Sequence, residues 1–169
     1  MNKNMLVMAS ILLIASSVPA FGQLREYPDE SLRGLKGIRV VVNYRGPKEA
    51  SYGLTQKELL NTVELRLRAE GMRVLSDEEW NREPGKPYFY VTVVGTKIGS
   101  GKEEMFFYSF ATDLIQQVSL ARRPSFTTDG STWNQDYALV VSRSHLRQVT
   151  VKIGDVAHDF AQSVREANT

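Results

Sequence analysis

The stretch Val63–Ser76, "VELRLRAEGMRVLS", decides the fold, and it points two ways. "VELRLR" alternates apolar and charged residues as a half-buried strand does. What surrounds it is helical. Thr55 and Glu58 in "TQKE" form a capping box, in which the threonine side chain closes an open backbone N–H and the glutamate reaches back. Leu59, Leu60, Val63 and Leu67 then lie on one helical stripe, and Gly71 stands where a left-handed carboxyl-terminal cap is needed. The spacing predicts a helix over 55–70. Leu65 then points away from the stripe, as a solitary exposed leucine or as part of an interface.

Working outward, "IRVVVNY" (38–44) reads as a buried strand before this helix, and "RGPKEASYG" as a loop. "MRVLS" (72–76) reads as a short strand after it, followed by a turn of helix at "DEEW" and the loop "NREPGKP". "YFYVTVVGTKI" (88–98), "MFFYSFATDLIQQVSL" (105–120) and "STWNQDYALVV" (131–141) are aromatic and β-branched, and predict three consecutive strands. "GSGKEE" between the first two is a Gly-containing hairpin loop, and "ARRPSFTTDG" between the others a loop. Leu146, Val149, Ile153, Val156, Phe160 and Val164 step by three and four, which predicts a final helix with Ser144 as its amino-terminal cap. The expected fold is α+β: a mostly antiparallel five-stranded sheet in the order β-α-β-β-β-α, with two helices packed on one face. Only the first β-α-β passage can set two strands parallel, through a right-handed crossover.

The amino terminus reads as a secretory signal peptide. Lys3 precedes the apolar run Met5–Val18, which is shorter than the ~20 residues of a membrane span. Ala20-Phe21-Gly22 offers small residues for cleavage before Gln23. The expectation is a signal peptide at 1–22, a polar entry arm at 23–37 and a single domain at 38–169. The exported chain is then periplasmic or secreted and not stably inserted in a membrane. Residues 23–169 are enough to bury a core without staples. The chain has no cysteine, which excludes disulfides, thiolate metal sites, cysteine nucleophiles and a lipid anchor at the cleavage point. Net charge is +2, and about +1 without Lys3, too little to steer the chain onto nucleic acid.

Groups that could trade protons, attack a substrate or hold a metal are few in this sequence. His145 and His158 fall about 140° apart on the last helix and cannot share a metal. Asp155, His158, Asp159 and Gln162 share one side of it, where a solvated charged face is the plainer reading than a cation site. "GSGK" (99–102) lacks the earlier glycine and following Ser/Thr of a phosphate loop, and reads as a turn. Ser100, Ser125 and Ser131 have no histidine near in sequence. No catalytic residue, cofactor site or metal site is assigned. Arg122 and Arg123, with Arg143 and Arg147 further on, are the repeated basic groupings and suit an acidic partner or ordinary solvation. If Phe89, Val91 and Val93 face the helices, Tyr88 and Tyr90 face away. In the third meander strand Trp133 and Tyr137 share a side, and the alternation leaves open which side that is. Tyr88, Tyr90, Trp133, Tyr137, Arg122 and Arg123 are therefore the candidate interaction surface.

The run "LRGLKGIRVVV", the helix ending "VELRLRAEGMRVLS", the acidic "DEEW" and then "YFYVTVVG" resemble exported bacterial domains of unassigned function. At a greater distance the layout over 35–98 is similar to the amino-terminal domain of the TolB translocation protein and to the curli secretion protein CsgG. The resemblance implies an interaction role in a bacterial envelope. It carries over no catalytic residue, and this chain departs from it in lacking a lipid-anchoring cysteine, a propeller and a pore-forming hairpin. The expected function is an exported, non-catalytic domain acting by contact with an envelope or secreted protein, or with itself. A small-molecule binder using an aromatic sheet face, or a hydrolase with dispersed acid–base groups, are the alternatives.

Overall fold

The structure is a computed structural model that describes residues 30–47, 54–99 and 104–169. The signal peptide, residues 23–29 of the entry arm, and most of the loops at 45–53 and 99–104 lie outside the described residues. Among the described residues, no helix is long and apolar enough to cross a membrane.

The opening stretch is a helix. In α1 (Gln56–Ala69) the Thr55–Glu58 capping box is present on both sides, with Glu58 N–H donating to Thr55 Oγ1 over 3.1 Å. At the other end Gly71 takes a φ of +82°, a left-handed conformation that suits glycine. Its N–H donates to the Arg68 carbonyl and that of Met72 to the Leu67 carbonyl, the paired closing bonds of a Schellman motif. Leu59, Val63 and Leu67 are buried, while Leu65 is 66% exposed on the far side.

Four strands follow the order β1 (Arg39–Arg45), β2 (Tyr88–Ile98), β3 (Met105–Leu120) and β4 (Arg123–Ser142), each hydrogen-bonded to the next. β1 and β2 are parallel; the other pairs are antiparallel. The expected fifth strand at 72–76 shrinks to one parallel bridge between Val74 and Ile38. Gly71 ends α1 and Ser76 already caps the next helix, so Met72–Leu75 has no length for a ladder. That next helix is longer than the single turn expected. α2 (Asp77–Arg82) is set by a second capping box, Ser76 with Glu79. Among the described residues the fold is thus α+β with one mixed four-stranded sheet and three helices, not five strands and two helices.

A second correction falls on 123–130. Predicted as loop from its proline, glycine and polar residues, it is instead the first part of β4. Beyond Ile115, which pairs with Tyr88 at the start of β2, β3 and β4 continue as a two-stranded ribbon. Extra residues on β4 accompany register shifts at Leu114/Ile115 and Ser119/Leu120, the second accommodating Pro124.

α3 (Arg147–Ala167) and α1 pack on one sheet face. No side chain caps α3; a 3-10 turn at Arg143–His145 leads into it, and the Ser144 hydroxyl bonds His145 Nδ1 instead. Val149, Ile153, Val156, Phe160 and Val164 are buried against Val40, Val42, Phe89, Val91, Phe106 and Phe110. Phe160 stacks on Phe89 with centroids 4.4 Å apart, and Trp133 meets Phe160 edge-on at 5.0 Å.

Two glycines make opposite predictions. Gly154 sits mid-helix, where a Cβ would lie 3.8 Å from Thr62 Cγ2, ordinary contact. Gly154→Ala should therefore stabilise the fold by about 1 kcal/mol in urea unfolding, because it removes backbone freedom from the unfolded chain at no steric cost. Gly95 on β2 is different: a Cβ there would strike the ring of the fully buried Tyr108. Gly95→Ala should cost about 1–3 kcal/mol in the same assay, the ordinary penalty of overpacking.

Candidate functional site: the outer sheet face

Strand alternation sends one set of side chains to the helices and the other outward. Along β2, Phe89, Val91 and Val93 are buried against the helices, so Tyr88, Tyr90, Thr92, Val94, Thr96 and Ile98 face out. The register then fixes the outer rows. Ile98 lies beside Met105; Thr96, Phe107 and Val140 form the next row; Arg45, Val94, Ser109 and Ala138 the next; and Asn43, Thr92, Ala111 and Asp136 the one after. No described helix packs over these rows. Val94, Ile98, Phe107 and Val140 are large apolar residues left exposed, and they cluster at one end of the face.

The other end is partly covered. Trp80 of α2 meets Tyr88 edge-on, and Tyr88 meets Tyr90 likewise. The Arg39 guanidinium lies 5.0 Å from the Trp80 ring and pairs with Asp77 at 2.8 Å. Asn43 Nδ2 donates to the Tyr90 hydroxyl. Burial, and then the carboxylates of Asp129 and Asp113, push the Tyr88 phenol above its usual range.

The sequence-derived surface is therefore divided by the sheet. Tyr88 and Tyr90 lie on the outer face. Trp133 and Tyr137 lie on the helix side, where Trp133 packs on Phe160 and the Tyr137 hydroxyl donates to Asp159 Oδ2 over 2.7 Å. Lys152 Nζ sits 3.8 Å from the Tyr137 ring. Burial, and then the hydrogen bond to Asp159, raise the Tyr137 phenol well above its usual range. Arg122 and Arg123 are exposed at the ribbon tip, whereas Arg143 and Arg147 lie past the other end of β4, roughly 60 Å away along the strand. The two basic groups do not meet. Ile98, Phe107 and Val140 at the apolar end were missed, although a signal existed: in "MFFYSF" (105–110) the adjacent phenylalanines of a strand must face opposite ways.

The charged side of α3 is also accounted for. Asp159 holds Tyr137, and Gln162 donates to Glu166. His158 Nδ1 lies 2.6 Å from Glu70 Oε1 at the end of α1. The same carboxylate takes Arg66 Nε at 3.2 Å and Arg165 Nη1 at 2.9 Å, so one acid is shared by three basic groups across two helices. A cleft of about 200 Å³ beside it is lined by Leu35, Lys36, Glu70, Met72, Arg73, Val164 and Arg165, but not by His158. The hydrogen bond from His158, and then the one from Arg165, hold the Glu70 carboxyl below the usual range. A lowered folded-state pKa contributes stability that is present above the ordinary glutamate value and is lost as pH falls through the lowered one. The gap in stability between wild type and Glu70→Gln, followed by urea unfolding at stepped pH, should thus hold at neutral pH and close on acidification.

Compared with known proteins, the chain matches no family model and no curated protein. Among solved structures it is similar to lipoprotein GNA1162 from Neisseria meningitidis, at 14% identity over 72% of this chain and 98% of that one, with a TM-score of 0.41. A likeness at that level transfers neither fold nor role. The layout similarity to TolB and CsgG gains no support from a family model.

Proposed function

We propose that this chain is an exported, non-catalytic domain that works by protein–protein contact in the bacterial envelope or secreted space, through the outer face of its sheet. The observation that carries the reading is the apolar end of the outer face: Val94, Ile98, Phe107 and Val140 exposed together, in neighbouring rows over which no described helix packs. Leaving such a cluster in water is costly, and a partner surface is what offsets that cost. The bond between His158 and Glu70 supports the non-catalytic side of the proposal, because that carboxylate is already shared with Arg66 and Arg165 in a tie between two helices.

The test uses Phe107→Asp and Val140→Asp in cells, with affinity capture from the exported fraction and the helical signal and melting point of each purified variant as controls. The reading expects native-like folding with loss of the captured protein. Retention of the same partner by both folded variants would refute it.

A further inference from the structure

The outer face is self-complementary, and we infer that it pairs with the same face of a second copy about a two-fold axis parallel to the strands. This rests on the outer face being the contact surface, and adds the identity of its partner. The argument starts from charge. Within the four-stranded part of the sheet, four charged residues hold outward register positions, Arg39, Arg45, Asp113 and Asp136, while Asp129 lies further on, along the two-stranded ribbon. Arg39 is paired with Asp77, and Asp113 accepts from the Ser131 hydroxyl at 2.7 Å. Arg45 and Asp136 have no side-chain partner among the described residues. They sit on opposite edges of the sheet, Arg45 on β1 and Asp136 on β4, in adjacent outer rows.

Two sheets that pack face to face keep their strands roughly aligned, about 10 Å apart. A two-fold axis along the strands lays β1 of one copy over β4 of the other. Arg45 of each then lies over Ala138 of its mate, one row from Asp136 and within reach of it through its long side chain, and the contact is made twice. An axis across the strands instead lays β1 on β1 and β4 on β4, setting like charges at both edges. The charges thus select one orientation. The centre of the face is small-chained, with Thr92, Ser109 and Ala111 allowing close approach. The same axis sets β2 over β3 of the second copy, so Ile98 meets Met105 and Thr96 meets Phe107. Four strands over Tyr90–Val94 and three over Gly95–Ile98 give on the order of 500 Å² per copy, at the low end of specific interfaces, which predicts a weak, reversible dimer.

The test is sedimentation equilibrium of the full chain from about 5 to about 200 µM, the range in which a small interface associates. Wild type should show a reversible monomer–dimer equilibrium. Arg45→Asp and Asp136→Arg should each weaken it about tenfold or more, because each creates two like-charge contacts per dimer. The double variant Arg45→Asp/Asp136→Arg should recover most of the loss. Both positions are exposed edge residues, so the variants should fold. A wild-type monomer throughout, a dimer indifferent to either reversal, or a double variant no better than the singles would overturn the inference. If wild type is monomeric while Phe107→Asp still loses a captured protein, self-pairing fails and the contact reading survives. If capture is also unaffected, both fail.

Discussion

Phe160→Ala should lower the free energy of unfolding by about 3–5 kcal/mol, the usual cost of removing a buried phenylalanine. Phe160 is fully buried on α3 and is the contact that joins three elements. It stacks on Phe89 of β2 and receives the edge of Trp133 from β4, so its loss opens a cavity between helix and sheet that neither ring can fill by a rotamer change alone. A domain of this size has only about 5–15 kcal/mol in hand. Urea unfolding followed by Trp fluorescence suits the measurement, because Trp133 lies at the cavity wall. A loss under about 1 kcal/mol would mean that α3 does not pack here.

Phe106→Asp and Phe107→Asp, at adjacent positions of one strand, should differ sharply. Phe106 is 0% exposed and faces the helices; Phe107 is 39% exposed and faces out. At 106 the substitution removes a large apolar side chain and buries an unpaired carboxylate, which together exceed what the fold can absorb. The product should be unfolded or degraded. At 107 the carboxylate stays in water, and stability should move by no more than about 1 kcal/mol. Circular dichroism and melting curves of the two proteins decide the matter. Equal effects would mean that β3 is turned the other way or that a second layer covers it.

Both helices that build the core were legible in the sequence, for a physical reason. Thr55, Glu58 and Gly71 encode the ends of α1 in local hydrogen bonds, and the apolar spacing of α3 repeats often enough to stand above chance. The 123–130 part of β4 was not legible. Every residue from Arg123 to Asp129 is exposed, so nothing there alternates between core and water. Its pairing with β3 comes from continuing a ladder begun elsewhere. The 72–76 stretch misled in the reverse sense: its composition is that of a strand, but a helix cap on either side leaves room for one bridge.

The outer face shows the same limit in another form. Period-two alternation separates Tyr88 from Phe89 and Trp133 from Thr132, yet it does not say which set meets the helices. On β2 the sequence left the facing conditional, and the burial of Phe89, Val91 and Val93 settled it. On β4, where both sets mix polar and apolar residues, register against β3 was needed to place Trp133 and Tyr137 beside Phe160 and Asp159. The Arg45–Asp136 relation was beyond reach of the sequence for a similar reason. The two residues are far apart in the chain, and only the order of four strands sets them on opposite edges of one face.

Hydroxyl-radical footprinting of the purified chain, and of the same chain within the exported fraction, tests the central claim most directly. The account predicts that Phe107 and Val140 are oxidised readily in the dilute purified protein, while Phe89, Phe106 and Phe160 are protected. It further predicts that Phe107 and Val140 become protected in the concentrated native setting. Labelling of Phe107 and Val140 that stays high in every setting, or is already as low as that of Phe106 in the dilute protein, would contradict it.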